Sequence, residues 1–137
     1  LTLVLDASIA LAWRFEDEKT PVTEALFDRV IATGAVAPVI WALEVANALR
    51  VSERRGRVSA EFVDASLRDF LDLSIEIDPE TPAQAWTATL ALARAHNLTL
   101  YDAAYLELAL RRDLPLATLD ARLRAAAQSL GRPVLGI

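Results

Sequence analysis

The chain has 137 residues, of which 54% are hydrophobic, and it carries a formal net charge of −5 with no cysteine. This length suits a single domain, 1–137, with a core of its own, and the lack of thiols excludes disulfide staples, thiol catalysis and cysteine-based zinc sites. No apolar run approaches the ~20 residues of a membrane span, and no cationic leader followed by a small-residue cleavage site is visible, so a cytoplasmic protein without membrane contact is expected.

Short β-type runs alternate with helical ones along the chain. Leu1–Leu5 predicts a buried strand. Thr20-Pro21 opens a helix, with a capping hydroxyl and proline at the first helical position, and Gly34 ends it. Ala35–Ala37 predicts a short strand before Pro38. A helix from about Ile40 to Arg55 stops at Gly56, and Ser59 begins another that ends near Asp72. Ser74–Ile77 reads as a strand, and Thr81-Pro82 starts a helix to about Ala95, with Asn97 as a left-handed stop. Thr99 caps a helix over Leu100–Arg112. Leu114–Thr118 is a strand, Asp120–Leu130 a helix closed by Gly131, and Val134–Gly136 a last strand. This alternation predicts an α/β fold with a parallel sheet covered on both faces. Such sheets bind ligands beyond the carboxyl ends of their strands, where strand order reverses. Asp6 and Asp120 fall at two of those ends.

Two further acids are expected on the core-facing side of helices. Glu44 shares a face with Ile40, Ala48 and Val51, and Asp102 shares one with Leu98, Tyr105, Leu106 and Ala109. An ionised carboxylate turned toward a core is costly unless it is paired or ligates a metal, and neither acid has a cation three or four residues away. By contrast, Asp64 precedes Arg68 by four residues and Glu107 precedes Arg111 by four, a spacing that predicts surface ion pairs. Each of the four acids also has a plain structural reading. Asp102 fits a capping box with Thr99, Glu44 can bond Asn47 one turn on, and Asp6 and Asp120 can each cap the helix that follows. Taken together, four such acids suit a hard divalent cation, because Mg²⁺ and Mn²⁺ prefer oxygen ligands and leave room for a substrate phosphate. An ion of that kind can activate water for attack at phosphorus. Ser8 and Thr118 offer supporting hydroxyls, and Asn47 an amide that can orient Glu44.

These residues carry a family resemblance. VLDASIALAW around Asp6, P-x-x-W-x-L-E-V-A-N-A-L-R around Glu44, LTLYDAAYLELALRRDLPLATLD with Asp102 and Asp120, and ARLRAAAQSLG after it resemble PIN-domain ribonucleases of the VapC toxin type. The resemblance spans essentially one whole domain. It implies a three-layer α/β/α sandwich around a short, mainly parallel sheet, with Mg²⁺ or Mn²⁺ held by Asp6, Glu44, Asp102 and Asp120. The implied activity is endonucleolytic cleavage of RNA. The implied partners are a cognate antitoxin that occludes the site and a second copy of the chain in a homodimer.

The acidic net charge is not that of a typical nucleic-acid binder, but bound divalent ions would offset most of it. The cations are also unevenly spread. Arg50, Arg54, Arg55 and Arg57 cluster at one helix end and its turn, and Arg111–Arg112 and Arg122–Arg124 form further pairs able to hold RNA phosphates. A solvated helix terminus explains each arginine singly. His96 is the only histidine, which excludes a paired-histidine mechanism, and it reads as a surface residue without a catalytic role. Trp13, Phe15 and Trp41 are candidates to line an antitoxin groove. Two alternatives are a non-catalytic RNA- or protein-binding module on the same fold and a phosphatase using Asp6 as nucleophile. The phosphatase is disfavoured by Ser8, which stands where such enzymes carry a second Asp.

Overall fold

The computed structural model describes residues 2–137; Leu1, the first residue of the expected opening strand, lies outside them. In chain order the elements are β1 (Val4–Leu5), α1 (Ala7–Ala12), a 3-10 turn (Glu16–Glu18), α2 (Pro21–Thr33), β2 (Ala35–Ala37), α3 (Trp41–Arg54), α4 (Ala60–Leu71) and β3 (Ile75–Ile77). They continue with α5 (Thr81–Gln84), a π-helical turn (Ala85–Thr89), α6 (Leu90–His96), α7 (Leu100–Arg112), β4 (Leu116–Ala117), α8 (Ala121–Ser129) and β5 (Val134–Leu135).

Local chemistry explains most boundaries. Thr20 and Thr23 form a reciprocal capping box at the start of α2, Ser59 accepts from the Phe62 N–H, and Thr99 accepts from the Asp102 N–H. Asn97 ends α6 in the left-handed conformation. Gly34 ends α2 at φ +76, where a Cβ would stand 2.9 Å from the Ser74 carbonyl, so only glycine fits this approach to β3. The helix expected to follow Asp6 is α1, too short to leave a periodic signal of its own. Two expectations need correction. The single helix expected from Thr81 to Ala95 is interrupted by the π turn, which leaves the Thr89 hydroxyl buried without a partner and Trp86 88% exposed. The strands pair over only two or three residues, so the apolar runs that predicted them extend past the hydrogen-bonded part.

The five strands form one sheet in the order β3-β2-β1-β4-β5, and every pairing is parallel. The chain steps outward from β1 to β3, then crosses back and lays β4 and β5 on the other side of β1. Right-handed crossovers therefore put α1–α4 on one face and α5–α8 on the other, consistent with the packing of α1 on α3, α3 on α4, α6 on α7 and α7 on α8. This is a three-layer α/β/α sandwich. Leu3, Val4, Leu5, Val36, Leu116 and Ala117 form its centre, buried from both sides. Strand order reverses between β1 and β4, so their carboxyl ends flank the crevice where this architecture binds ligands.

One acid at a strand end has a structural role. Asp78, immediately after β3, is fully buried and accepts from Arg111 at 2.6 Å and Arg112 at 3.0 Å. Arg111 also holds Glu107, which is 4% exposed. The Glu107–Arg111 pair thus forms as its spacing predicts, but inside the fold instead of on its surface. The expected Asp64–Arg68 pair is not among the ion pairs of the described residues; Arg14 bonds Asp69 on that helix instead.

Candidate active site

Asp6 follows β1 and is 6% exposed. It sits at the position that would cap α1, yet its side chain makes no cap bond. Its Oδ2 instead accepts from the hydroxyls of Ser8 at 2.5 Å and Thr118 at 2.8 Å. Each hydroxyl is in turn fixed by the loop after β4, Ser8 accepting from the Leu119 N–H and Thr118 from the Asp120 N–H, both at 3.0 Å. Ser8 and Thr118 therefore tie the ends of β1 and β4 together and set the orientation of Asp6. Gly136 supports the same loop: it lies at φ +123, and a Cβ there would come within 2.8 Å of the Thr118 carbonyl.

Glu44 sits in the first turn of α3, half-buried, and accepts a short hydrogen bond from the Tyr105 hydroxyl of α7. Asn47 is exposed and makes no side-chain bond to Glu44 among the described residues; the partner is Tyr105. This residue was legible only as a core aromatic, although its place one turn beyond Asp102 on the same face was a usable signal. Burial, together with the charges of Asp6 and Glu44 and the bond to Glu44, pushes its phenol far above the usual tyrosine range, so Tyr105 keeps its proton and always donates. Asp102 takes the cap bond on its backbone N–H only, which leaves its carboxylate out of the capping box. Asp120 does cap, accepting from the Leu123 N–H at 2.8 Å.

The four acids act on one another. Burial raises the carboxyl of Asp6, and the charge of Asp120 adds to this against the lowering effect of the Ser8 and Thr118 bonds. Burial raises Glu44, the Tyr105 bond opposes it, and the charges of Asp6 and Asp102 add to the rise. Burial raises Asp102 as well, with Asp120 and Asp6 contributing. No lysine or arginine is among the groups acting on Glu44 or Asp102, in contrast to Asp78, whose arginines hold its carboxyl down at about 2. Among the described residues no three acids converge closely enough to grip an ion at once; they form an open, oxygen-lined group. A hydrated ion that keeps several waters and takes few direct carboxylates fits this donor set.

The candidate phosphate-binding arginines divide. Arg50 bonds Glu53, and Arg57 lies 4.0 Å from Asp17 and over the Phe15 ring. Arg54 and Arg55 are exposed, make no ion pair among the described residues and line a shallow pocket with Val51. Of the aromatics proposed for a groove, Trp13 lines a cleft of about 580 Å³ with Phe27, Ile31, Phe70 and Leu73. Trp41 is buried against Phe70 and Phe15 packs on Phe62, outside that lining.

Comparison with known proteins adds a family context. The family model described as PIN domain matches residues 3–128. Ribonuclease VapC3 of Pyrobaculum aerophilum is 29% identical over 133 residues, 97% of this chain and 100% of that protein. Ribonuclease VapC1 of Mycobacterium tuberculosis is 38% identical over 91 residues, 66% of this chain and 65% of the relative. Among solved structures, PAE2754 from Pyrobaculum aerophilum superposes with a TM-score of 0.71 at 25% identity, covering 98% of this chain and 89% of that one.

Proposed function

The chain belongs to the PIN-domain family, and from that premise we propose that it is a Mg²⁺- or Mn²⁺-dependent endoribonuclease, the toxin of a toxin–antitoxin pair. The observation that carries this reading is the group formed by Asp6, Glu44, Asp102 and Asp120: buried or half-buried acids from four separate segments, mutually repelling and without a lysine or arginine paired to them among the described residues. A fold tolerates such an arrangement when a cation is to be held. Asp6, Glu44 and Asp102 would hold the ion, with Asp120 acting at second hand. Bound there, the ion would lower the pKa of a water for attack on an RNA phosphodiester and neutralise charge on the leaving oxygen, giving a 5′-phosphate and a 3′-hydroxyl.

The chain's own residues prepare that chemistry. Ser8 and Thr118 fix Asp6 through one oxygen and leave the other free. Tyr105 does the same for Glu44 and, as a permanent donor, favours its ionised form. Arg55 lies on the face of α3 that carries Glu44, about 16 Å further along the helix, where it and Arg54 would meet RNA phosphates. The cleft beside Trp13, apolar at its floor and lined by Arg14, Lys19, Glu24 and Asp28, suits an amphipathic antitoxin segment. Exposed Leu43, Trp86 and Tyr101 suit a homodimer face. The deciding experiment is cleavage of total cellular RNA with Mg²⁺ or Mn²⁺ by wild type and by Asp102→Asn. Cleavage by wild type only is expected; full activity in excess chelator, or in the folded variant, overturns the reading.

A further inference from the structure

A second polar cleft, of about 370 Å³, opens between the end of α6 and the outward face of α8, lined by His96, Asn97, Arg122, Ala125, Ala126 and Ser129. Four of these residues follow the i, i+3, i+4, i+7 spacing of one helix face, so α8 presents Arg122, Ala125 and Ser129 as an exposed stripe, with Ala126 buried beside it at the base of the cleft. Asn97, left-handed at φ 52, ends α6 at the cleft, and His96 lines it from that side. Seven of the chain's basic side chains are committed to ion pairs, but neither Arg122 nor His96 has a carboxylate or any other side-chain hydrogen-bond partner among the described residues.

The cleft is built from chain segments that adjoin two of the acids. Arg122 follows the α8 cap Asp120 by two residues, and Thr99, whose hydroxyl caps Asp102, follows Asn97 by two. At 1.5 Å per residue the stripe from Arg122 to Ser129 extends about 10 Å away from Asp120. Resting on the ribonuclease reading above, we propose that this cleft is a subsite for the RNA strand beside the cleaved bond. Arg122 holds a backbone phosphate with its bidentate fork, and the His96 ring donates to or stacks on the neighbouring nucleotide over the small side chain of Ala125. Exposed Ala125 suits that role because its small side chain lets a base approach the helix, and Ser129 supplies a hydroxyl at the far end. An acidic protein needs such local cationic contacts to keep a polyanion in register with its carboxylates.

The test uses a fluorescein-labelled single-stranded RNA oligonucleotide and the cleavage-silenced Asp102→Asn protein, with affinity read by anisotropy over a salt series. Adding Arg122→Ala is expected to weaken binding about 5- to 10-fold and to flatten the slope of log affinity against log salt by about 0.7, the value for one lost phosphate contact on a single strand. Adding His96→Ala is expected to weaken binding about 3-fold with the slope unchanged. Arg68→Ala, an exposed arginine on α4, serves as the charge-matched control and leaves both quantities as they were. In otherwise wild-type protein, Arg122→Ala raises KM for cleavage and spares kcat. If Arg122→Ala leaves affinity, slope and KM unchanged while wild type cleaves RNA, the subsite falls and the nuclease reading stands. If the Arg68 control weakens binding equally, the effect is one of general charge and the subsite also falls. A wild-type protein that neither binds nor cleaves RNA overturns both.

Discussion

Asp78 and Asp6 stand at equivalent places, each just past a strand of the same sheet, and one substitution separates their roles. Asp78→Asn keeps the shape of the side chain and removes its charge, imitating the protonated acid. A carboxyl held at about 2 in the fold, against 3.8 for the free side chain, contributes about 2 kcal/mol at pH 7. Because the folded value is the lower one, the contribution is complete at neutral pH and is lost as pH falls toward 2; about 1 kcal/mol remains at pH 3. Urea denaturation of wild type and variant should therefore show a gap of about 2 kcal/mol at pH 7 that narrows by roughly half at pH 3. RNA cleavage by the folded variant at pH 7 should match wild type, since Asp78 faces Arg111 and Arg112 and not the carboxylate group. A gap below about 0.5 kcal/mol at pH 7, the size of an ordinary surface substitution, or a gap that does not shrink on acidification, refutes the assignment of Asp78 to the arginine network.

Other outcomes follow from the same electrostatics. Asp102 is raised by burial and by like charge, so its contribution to the stability of the metal-free protein is present at acid pH and lost as pH rises through the folded value. Asp102→Asn should abolish cleavage and yet raise metal-free stability at pH 7 by about 1 kcal/mol, measured by thermal unfolding in chelator. Asp6, Glu44 and Asp102 are all raised, so protons should compete with Mg²⁺ above the ordinary carboxylate range; titration calorimetry across pH 5 to 8 should show affinity falling on the acid side. Tyr105→Phe removes the bond that opposes the rise of Glu44. The acid limb of the cleavage profile should then move to higher pH, with about a 10-fold loss in rate near neutrality. Gly136→Ala meets both a left-handed φ and the Thr118 carbonyl, and should destabilise the protein by about 2 kcal/mol in a urea melt.

Much of this fold was legible because its boundaries are set by local chemistry: Thr20, Ser59 and Thr99 start helices and Gly34 and Asn97 stop them, each within its own turn. The less legible elements lack such a signal. α1 is one and a half turns without a capping bond, and the π turn at Ala85–Thr89, which packs against α7, is marked by no residue type within it. The candidate site divides in the same way. Glu44 and Asp102 stood out as acids without nearby cations on apolar faces, a local pattern. The bond from Tyr105 to Glu44 joins residues 61 apart, and the arginines that neutralise Asp78 lie more than thirty residues away, so nothing in the neighbouring sequence could reveal either. The Asp64–Arg68 spacing misled for the converse reason: exposed pairs at that distance are worth little, too little to hold two solvated side chains together.

The bond between Thr118 and Asp6 joins residues 112 apart, and the Thr118 N–H is itself held by the Leu135 carbonyl of the last strand. A chain emerging from the ribosome can complete its first three strands and two of its four acids with only Ser8 bonded to Asp6, and with the Leu119 N–H that holds Ser8 still to come. Only when β4 and β5 have been laid down on the far side of β1 do the Thr118 hydroxyl, the loop and Asp120 arrive together. For an enzyme proposed to cut RNA, this means that the complete site would form only once nearly the whole domain has been made.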